Sequence, residues 1–354
     1  MTQANTFPRP GSRFRGRRTN LALLLVLTGA FITGLTAQAV GTSAWGNTIV
    51  ILHGVVGLSI LILAPWKTRV AQRGITRRNP GRPLSLVLAG LAITVLITGV
   101  LHSTGTVGHI GPFTVLWVHV ASALLLIPFV AWHYLARKTP PRMVDLSRRN
   151  LLRLGGLTSA AGILWFGLDR SIALAQLPGS RRRFSGSHER SSFIPDAVPV
   201  TSWLDDRTPV LAASTWQLAI HGRSEEQAIT LRDLESFENE EIIAELDCTS
   251  GWYTRQVWTG VRLDRLMKLP LIDGDEVRSI GVWSATGYAR RFPVEDLERL
   301  WLVTGMGGAP LSAGHGYPAR LIAPDRRGFW WVKWVVRLET SPIPAWVQLP
   351  YPAT

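Results

Sequence analysis

The chain has 354 residues, a formal net charge of +14 and one cysteine. That length allows two or three domains, and a lone cysteine excludes a disulfide within the chain. Where the positive charge sits decides what it means: a nucleic-acid binder would carry it on a folded domain, and this chain does not.

Residues 1–19 hold five Arg and no acid, 66–83 hold six Lys/Arg and no acid, and 136–153 hold six against the single Asp145. From Ser171 onward, 20 Lys/Arg face 22 Asp/Glu. The excess is confined to three short segments flanking apolar runs, the distribution of positive-inside membrane topology. Four runs, Leu21–Val40, Thr48–Trp66, Leu84–Leu101 and Phe113–Leu135, are long enough or nearly so to cross a hydrocarbon core of about 30 Å. The connections 41–47 and 102–112 carry no Lys, Arg, Asp or Glu. This pattern predicts a basic cytoplasmic N-terminus (1–19) and a four-helix transmembrane domain (20–136) that returns to the cytoplasm.

A basic loop and a fifth span are expected over 137–176. The stretch "SRRNLLRLGGLTSAAGILWFGL", Ser147 to Leu168, opens on paired arginines and continues as a moderately apolar run. An ordinary fifth transmembrane helix is one reading. "SRRNLLR" more specifically resembles the twin-arginine export signal, which implies the twin-arginine translocation machinery as a partner. Both readings place the C-terminal remainder of the chain outside the cytoplasm, in a multi-pass protein of the cytoplasmic (inner) membrane with the bilayer as a partner. "ALA" at 173–175 resembles a peptidase site, but small residues are common in helices and a retained anchor is expected.

Residues 177–199, rich in Gly, Pro, Ser and Arg, read as a linker. No repeat of 20–50 residues is evident. Residues 200–345 mix strand-like runs ("WQLAIHG", "ARLIAP") with helix-like ones ("LDRLMK", "VEDLERLW"), predicting a mixed α+β domain followed by a tail at 346–354.

Histidines within apolar spans need a reason, because an unsatisfied ring nitrogen is costly in lipid. His53 and His119 each lie six residues in from the outer side, at about 9 Å depth by helical rise. They suit axial ligation of one haem b, with interhelical hydrogen bonding as the alternative. His102 and His109 are substitutes at the outer end. No second intramembrane histidine lies at the inner depth of His133, so a second haem is not expected. The spans are similar to small membrane cytochromes of the b561 type.

In "AELDCTSGWYTRQVW", Cys248 follows a predicted strand ("EIIAEL") and precedes turn chemistry ("TSGW"). From the residues alone, a buried bystander, a nucleophile with His221 or His315 as base, and a metal ligand all stand. Zinc is disfavoured, since no further ligands occur at suitable spacing.

The ordered series "WQLAIHG", "ITLRDLESF", "ELDCTSGW", "VWTGVRLDRLM", "SATGYARRFPVEDL", "GAPLSAGHGYPARLIAPDRRGF" and "VKWVVRLE" resembles the molybdopterin-binding domain of the sulfite oxidase family. That family includes periplasmic methionine sulfoxide reductases, and the resemblance covers roughly 195–340. It implies a molybdenum-molybdopterin cofactor with Cys248 as the one protein thiolate on the metal, a soft ligand suited to a redox metal. It further implies that His315 and Arg320 hold the pterin and its phosphate, and that Trp331, Val332 and Lys333 close on the cofactor. Many relatives carry lysine or serine where Trp330 and Trp331 stand, which alters the expected phosphate contacts. Tyr288 falls where the family has a tyrosine near the metal, as a hydrogen-bond donor or a packed core residue. Arg255, Arg290 and Arg291 are candidates for an oxyanion pocket, but they do not align with the family's arginines, so sulfite is not implied.

The combined expectation is an extracytoplasmic oxidoreductase that exchanges an oxygen atom with a small-molecule substrate and passes electrons through a membrane haem to or from quinone or another carrier. A molybdoenzyme whose membrane half merely anchors it, and a metal-free binding protein of the same fold, are the alternatives.

Overall fold

The computed structural model describes residues 11–39, 44–75, 81–137, 142–203, 206–222, 226–237, 239–267 and 277–352. Two compact units emerge, Met1–Ala37 with Ala44–Gly186, and Gln38–Ser43 with Ser187–Thr354.

The first unit contains helices α1 (Gly11–Ala39), α2 (Ala44–Ile75), α3 (Arg82–Thr104), α4 (Val115–Arg137) and α5 (Arg148–Leu174). All five are long and apolar enough to cross a membrane. Large apolar side chains on them are exposed, Leu25, Ile32, Leu61, Ile93, Leu125 and Ile163 among them. Helices apolar on their outer faces are what a hydrocarbon surround selects. The expected end of the first span, Val40, lies outside the described residues.

Two boundaries differ from the sequence reading. Phe113–Thr114 (β2) pairs antiparallel with His109–Ile110 (β1), with Gly111 at φ 60° in the turn, so α4 starts at Val115. Helix α5 runs to Leu174, within the expected 137–176 but six residues past the apolar stretch that ends at Leu168, through Asp169. The Asp169 carboxylate accepts a hydrogen bond from Arg182 at 2.8 Å, so the helix can carry an acid there. Asp145, the one acid of the third basic segment, is held by Arg17 through two contacts of 3.1 and 2.7 Å.

The second unit is dominated by strands: β3 (His188–Glu189), β4 (Gln217–His221), β5 (Glu226–Thr230), β6 (Glu240–Cys248), β7 (Trp252–Arg262), β8 (Ser279–Ser284), β9 (Ala289–Pro293), β10 (Trp301–Met306), β11 (Ala309–Pro310), β12 (Arg320–Ile322) and β13 (Val335–Ser341). One sheet is centred on β7, which pairs with β6, β10 and β3; β10 also pairs with β11 and β12. The other has the order β5-β4-β13-β8-β9. Inward positions alternate with outward ones, and Leu218, Ile220, Trp258, Ile280, Leu302 and Leu338 are fully buried. At Gly260 a Cβ would stand 2.2 Å from the Leu302 carbonyl oxygen, so the β7–β10 contact needs glycine.

Helix makes up little of this unit. Besides α6 (Leu231–Ser236), capped by Thr230, "LDRLMK" supplies only the four-residue α7 (Leu263–Leu266). "VEDLERLW" becomes a single 3-10 stretch, Val294–Arg299, before Trp301 and Leu302 join the sheet. Cross-strand pairing there outweighs local helix preference.

The stretch read as a linker, 177–199, is not free of structure. His188 N–H bonds to the Gly251 carbonyl and Arg190 N–H to that of Tyr253, drawing β3 onto the edge of β7. Its turn-rich composition hid a strand only two residues long. The tail is also tied in: the Gln348 side chain bonds both ways with the Arg291 backbone, and Tyr351 packs on Phe329 with ring centres 5.4 Å apart.

Candidate functional site

Strands β6 and β7 form a tight hairpin whose last pair is Cys248 and Trp252. Gly251, at φ 95°, turns the chain and donates its N–H to the Cys248 carbonyl at 3.1 Å. The thiol thus ends a rigid strand, as the sequence predicts. Its Sγ is half-buried, 3.1 Å from Ser250 Oγ and 3.6 Å from Thr201 Oγ1.

Beneath the thiol lies a buried ion pair. Arg327 Nη1 donates to Asp247 Oδ1 at 2.6 Å, and Ser187 Oγ donates to the same oxygen at 2.6 Å. Arg327 Nη2 also reaches the Cys248 carbonyl at 3.4 Å. A Cβ on Gly328 would stand 3.1 Å from Cys248 Cα, so the loop lies directly against the cysteine backbone.

His315, Arg320 and Lys333 form a cationic group in the same unit. Arg320 is 3% exposed, donates to the His315 carbonyl at 3.2 Å, and lies near the rings of Trp258 and Trp331, 5.4 and 5.7 Å from their centres. Among the described residues its Nε has no hydrogen-bond partner. Lys333 Nζ donates to the carbonyls of Thr201 (2.8 Å) and Gly314 (2.6 Å). His315 contacts Ser312 Oγ at 2.8 Å and the Val198 carbonyl at 3.2 Å. Among the described residues no carboxylate pairs with Arg320 or Lys333.

The electrostatics follow from that arrangement. Burial lowers the Arg320 pKa to about 10, opposed by the nearby Cys248. Burial, then the Arg320 charge, lowers Lys333 to about 7, opposed by Cys248 and then by Asp206. His315 is lowered by burial, then by Arg320 and Lys333. A buried guanidinium and a half-buried ammonium with no salt-bridged carboxylate among the described residues, beside a half-buried thiol, are costly in isolation and make a receptor for an anion.

The remaining expected residues divide. Trp331 and Val332 are buried, but the Trp331 N–H is spent on the Gly328 carbonyl and the Val332 carbonyl on the Leu321 N–H. The Trp331 ring packs against Trp258 with centres 5.6 Å apart. Tyr288 is buried and its hydroxyl donates to the Phe329 carbonyl, while burial raises its pKa and keeps it protonated.

The three arginines considered for an oxyanion pocket do not converge. Arg255 is exposed and faces Glu245, Arg291 reaches the Val347 carbonyl, and Arg290 stacks over Trp330 at 4.0 Å. Arg290 and Arg291 are successive on β9 and so point to opposite faces. His221 ends β4 and contacts Glu226 at 3.1 Å.

Sequence reasoning missed Thr201, Ser250, Trp258 and the Asp247–Arg327 pair. Asp247 and Ser250 flank Cys248, a usable signal. Thr201 and Arg327 come from distant loops that only the fold brings in.

In the first unit, His53 on α2 and His119 on α4 face each other with ring centres 6.1 Å apart and planes at 87°. His53 Nδ1 contacts the Ala30 carbonyl at 3.0 Å and Thr33 Oγ1 at 3.2 Å. His119 Nδ1 contacts the Val95 carbonyl at 2.9 Å and Thr98 Oγ1 at 3.3 Å. His133 lies against Trp132, and His109 is exposed in β1.

Residues 206–345 match the family described as oxidoreductase molybdopterin binding domain. The chain is 28% identical over 252 residues to the protein-methionine-sulfoxide reductase catalytic subunit MsrP of Xanthomonas campestris, covering 60% of this chain and 78% of that one. The corresponding subunit of Xanthomonas axonopodis is 28% identical over 241 residues, 57% of this chain and 73% of its own. Among solved structures, the sulfane dehydrogenase SoxCD of Paracoccus pantotrophus aligns with a TM-score of 0.36 at 26% identity, over 38% of this chain and 40% of its own length.

The group such a domain implies, a phosphate-bearing pterin that carries molybdenum, fits the residues present. Arg320 offers buried positive charge with an Nε–H unused among the described residues, Lys333 a half-buried ammonium, and Cys248 one thiol. Residues 206–345 are similar to oxidoreductase molybdopterin binding domains, and the chain that carries them is an oxidoreductase.

Proposed function

We propose that this chain is a membrane-held molybdenum enzyme that exchanges an oxygen atom with a small substrate on the extracytoplasmic side. The observation that carries the reading is the thiol of Cys248 at a strand end, in the electrostatic reach of buried Arg320 and half-buried Lys333, neither of which makes a salt bridge to a carboxylate among the described residues. When bound, the molybdenum cofactor supplies two-electron chemistry coupled to oxygen-atom transfer.

The chain's own groups have distinct tasks. Cys248 supplies the thiolate ligand, and the hydroxyls of Ser250 and Thr201 solvate its sulfur. Arg320 and Lys333 neutralise the cofactor phosphate, with His315 as a further contact through a ring oriented by Ser312 and Val198. Tyr288, held protonated, sits under Trp203 as a neutral donor that can leave the Phe329 carbonyl for substrate oxygen. The dispersed Arg255, Arg290 and Arg291 favour a neutral S-oxide group over an oxyanion, and the two methionine sulfoxide reductases point to the same class.

The five apolar helices and three basic segments support anchoring in the cytoplasmic membrane with the second unit outside. Arg148 and Arg149 are exposed in the first turn of α5, open to the twin-arginine machinery. His53 and His119, with ring centres 6.1 Å apart, would be the residues to hold one haem b, which would supply one-electron transfer to or from quinone.

Metal analysis of the full chain purified in detergent, with an optical redox spectrum and a methionine sulfoxide assay using a reduced dye, tests the reading. One molybdenum per chain, a reducible b-type spectrum and sulfoxide turnover are expected. A correctly matured chain without molybdenum overturns the enzyme reading. An active but colourless one overturns the relay alone.

A further inference from the structure

The first unit contains a duplication that the histidine contacts make visible. Residues 30–34 of α1 read Ala-Phe-Ile-Thr-Gly, and residues 95–99 of α3 read Val-Leu-Ile-Thr-Gly. In each copy the first residue's carbonyl and the threonine hydroxyl meet the Nδ1 of one histidine on the next helix. The distances agree closely, 3.0 and 3.2 Å for His53 against 2.9 and 3.3 Å for His119.

The two threonines are themselves fixed in the same way. Thr33 Oγ1 donates to the Gly29 and Ala30 carbonyls at 2.7 and 3.1 Å, and Thr98 Oγ1 to those of Thr94 and Val95 at 2.6 and 3.2 Å. The glycine that closes each copy lies against the same ring: a Cβ on Gly34 would stand 2.9 Å from His53 Cε1, and one on Gly99 would stand 3.2 Å from His119 Cε1. An N–H on Nδ1 satisfies the carbonyl, which leaves Nε2 as the lone-pair nitrogen. Among the described residues neither Nε2 has a hydrogen-bond partner.

We propose that the two Ile-Thr-Gly segments are a matched positioning device, one per helix pair, that fixes both imidazoles in the Nδ1–H tautomer and presents both Nε2 atoms to a single iron. This rests on the haem reading above and adds residues that act through the two histidines. Hydrogen bonding at the distal nitrogen raises the basicity of the coordinating one, so these contacts stabilise ferric iron and retain the haem. The steric part is separate: glycine at 34 and 99 lets each ring sit flush against the neighbouring helix.

The test uses the full chain in detergent, with haem per protein and midpoint potential as readouts and molybdenum content as the control for folding. Thr33→Val and Thr98→Val are each expected to lower haem affinity about tenfold. Each should also raise the reduction equilibrium severalfold, where tenfold corresponds to 59 mV for one electron. The two variants should match each other in direction and size, and Thr33→Ser and Thr98→Ser should restore both readouts. Gly34→Ala and Gly99→Ala should displace a ring and broaden or shift the low-spin ferric resonance. Wild-type protein that holds haem while both valine variants keep its potential and haem content overturns the positioning role and leaves the haem reading standing. A response in only one copy overturns the matched pair. Wild-type protein without haem overturns the haem reading, and this inference with it.

Discussion

Asp247 and Arg327 close a buried ion pair of 2.6 Å, with side chains 4% and 1% exposed, one residue before the only cysteine of the chain. Such a pair is weak evidence for stability when intact, but removing one partner strands the other charge away from water. Asp247→Ala is expected to destabilise the strand-rich unit by about 3–5 kcal/mol. It should also lower molybdenum content, because Arg327 braces the Cys248 carbonyl. Calorimetric unfolding and metal analysis of the same preparation check both. An unchanged unfolding transition would show that the ion pair adds nothing.

Lys333 gives a pH signature with a definite sign. Its pKa is lowered from 10.5 to about 7 in the folded chain. Between those values the unfolded state binds the extra proton, so cofactor-free protein should gain stability as pH rises from about 7 towards 10.5. The slope from this group is at most about 1.4 kcal/mol per pH unit. Unfolding midpoints measured across that range should rise less in Lys333→Met than in wild type. Parallel curves for the two proteins would refute the assignment.

Cys248→Ser should leave expression and fold intact while removing sulfoxide turnover, since a hydroxyl is a poor soft ligand. Ser250→Ala, which removes only the hydroxyl 3.1 Å from Sγ, should retain the metal and lower the rate severalfold. Steady-state assays normalised to molybdenum separate the two effects. Normal turnover in Cys248→Ser ends the proposed ligand role.

Gly260→Ala tests the close approach of β7 to β10. The added methyl would overlap the Leu302 carbonyl, so the strands must part at a central pairing. A loss of about 1–3 kcal/mol or more in unfolding free energy is expected. A neutral result would mean that the sheet accommodates the methyl by a local shift.

Much of the architecture is legible in the sequence because two physical signals are strong. Runs of apolar residues bounded by arginines mark the five long helices, and a strand followed by Thr-Ser-Gly places Cys248 at a hairpin end. The misreadings have equally physical causes. "VEDLERLW" has helical composition, yet Trp301 and Leu302 are claimed by β7 and β12. Residues 177–199 have linker composition, yet His188 and Arg190 pair with β7 through backbone groups that side-chain identity does not report. The duplication in the first unit escapes a search for short periods because its copies are 65 residues apart and share three consecutive residues. Thr201 and Arg327 are far from Cys248 in sequence and join it only through folding.

A chain with a single sulfhydryl has a practical property that multi-cysteine enzymes lack. Any thiol-directed alkylating tag that reacts with this protein reports on one atom, so the fraction left unlabelled under native conditions gauges how many molecules hold that sulfur engaged. The same solitude removes mispaired cystines as a hazard in an oxidising compartment, leaving dimers joined through Cys248 as the one covalent by-product to watch for in preparations that lack the cofactor.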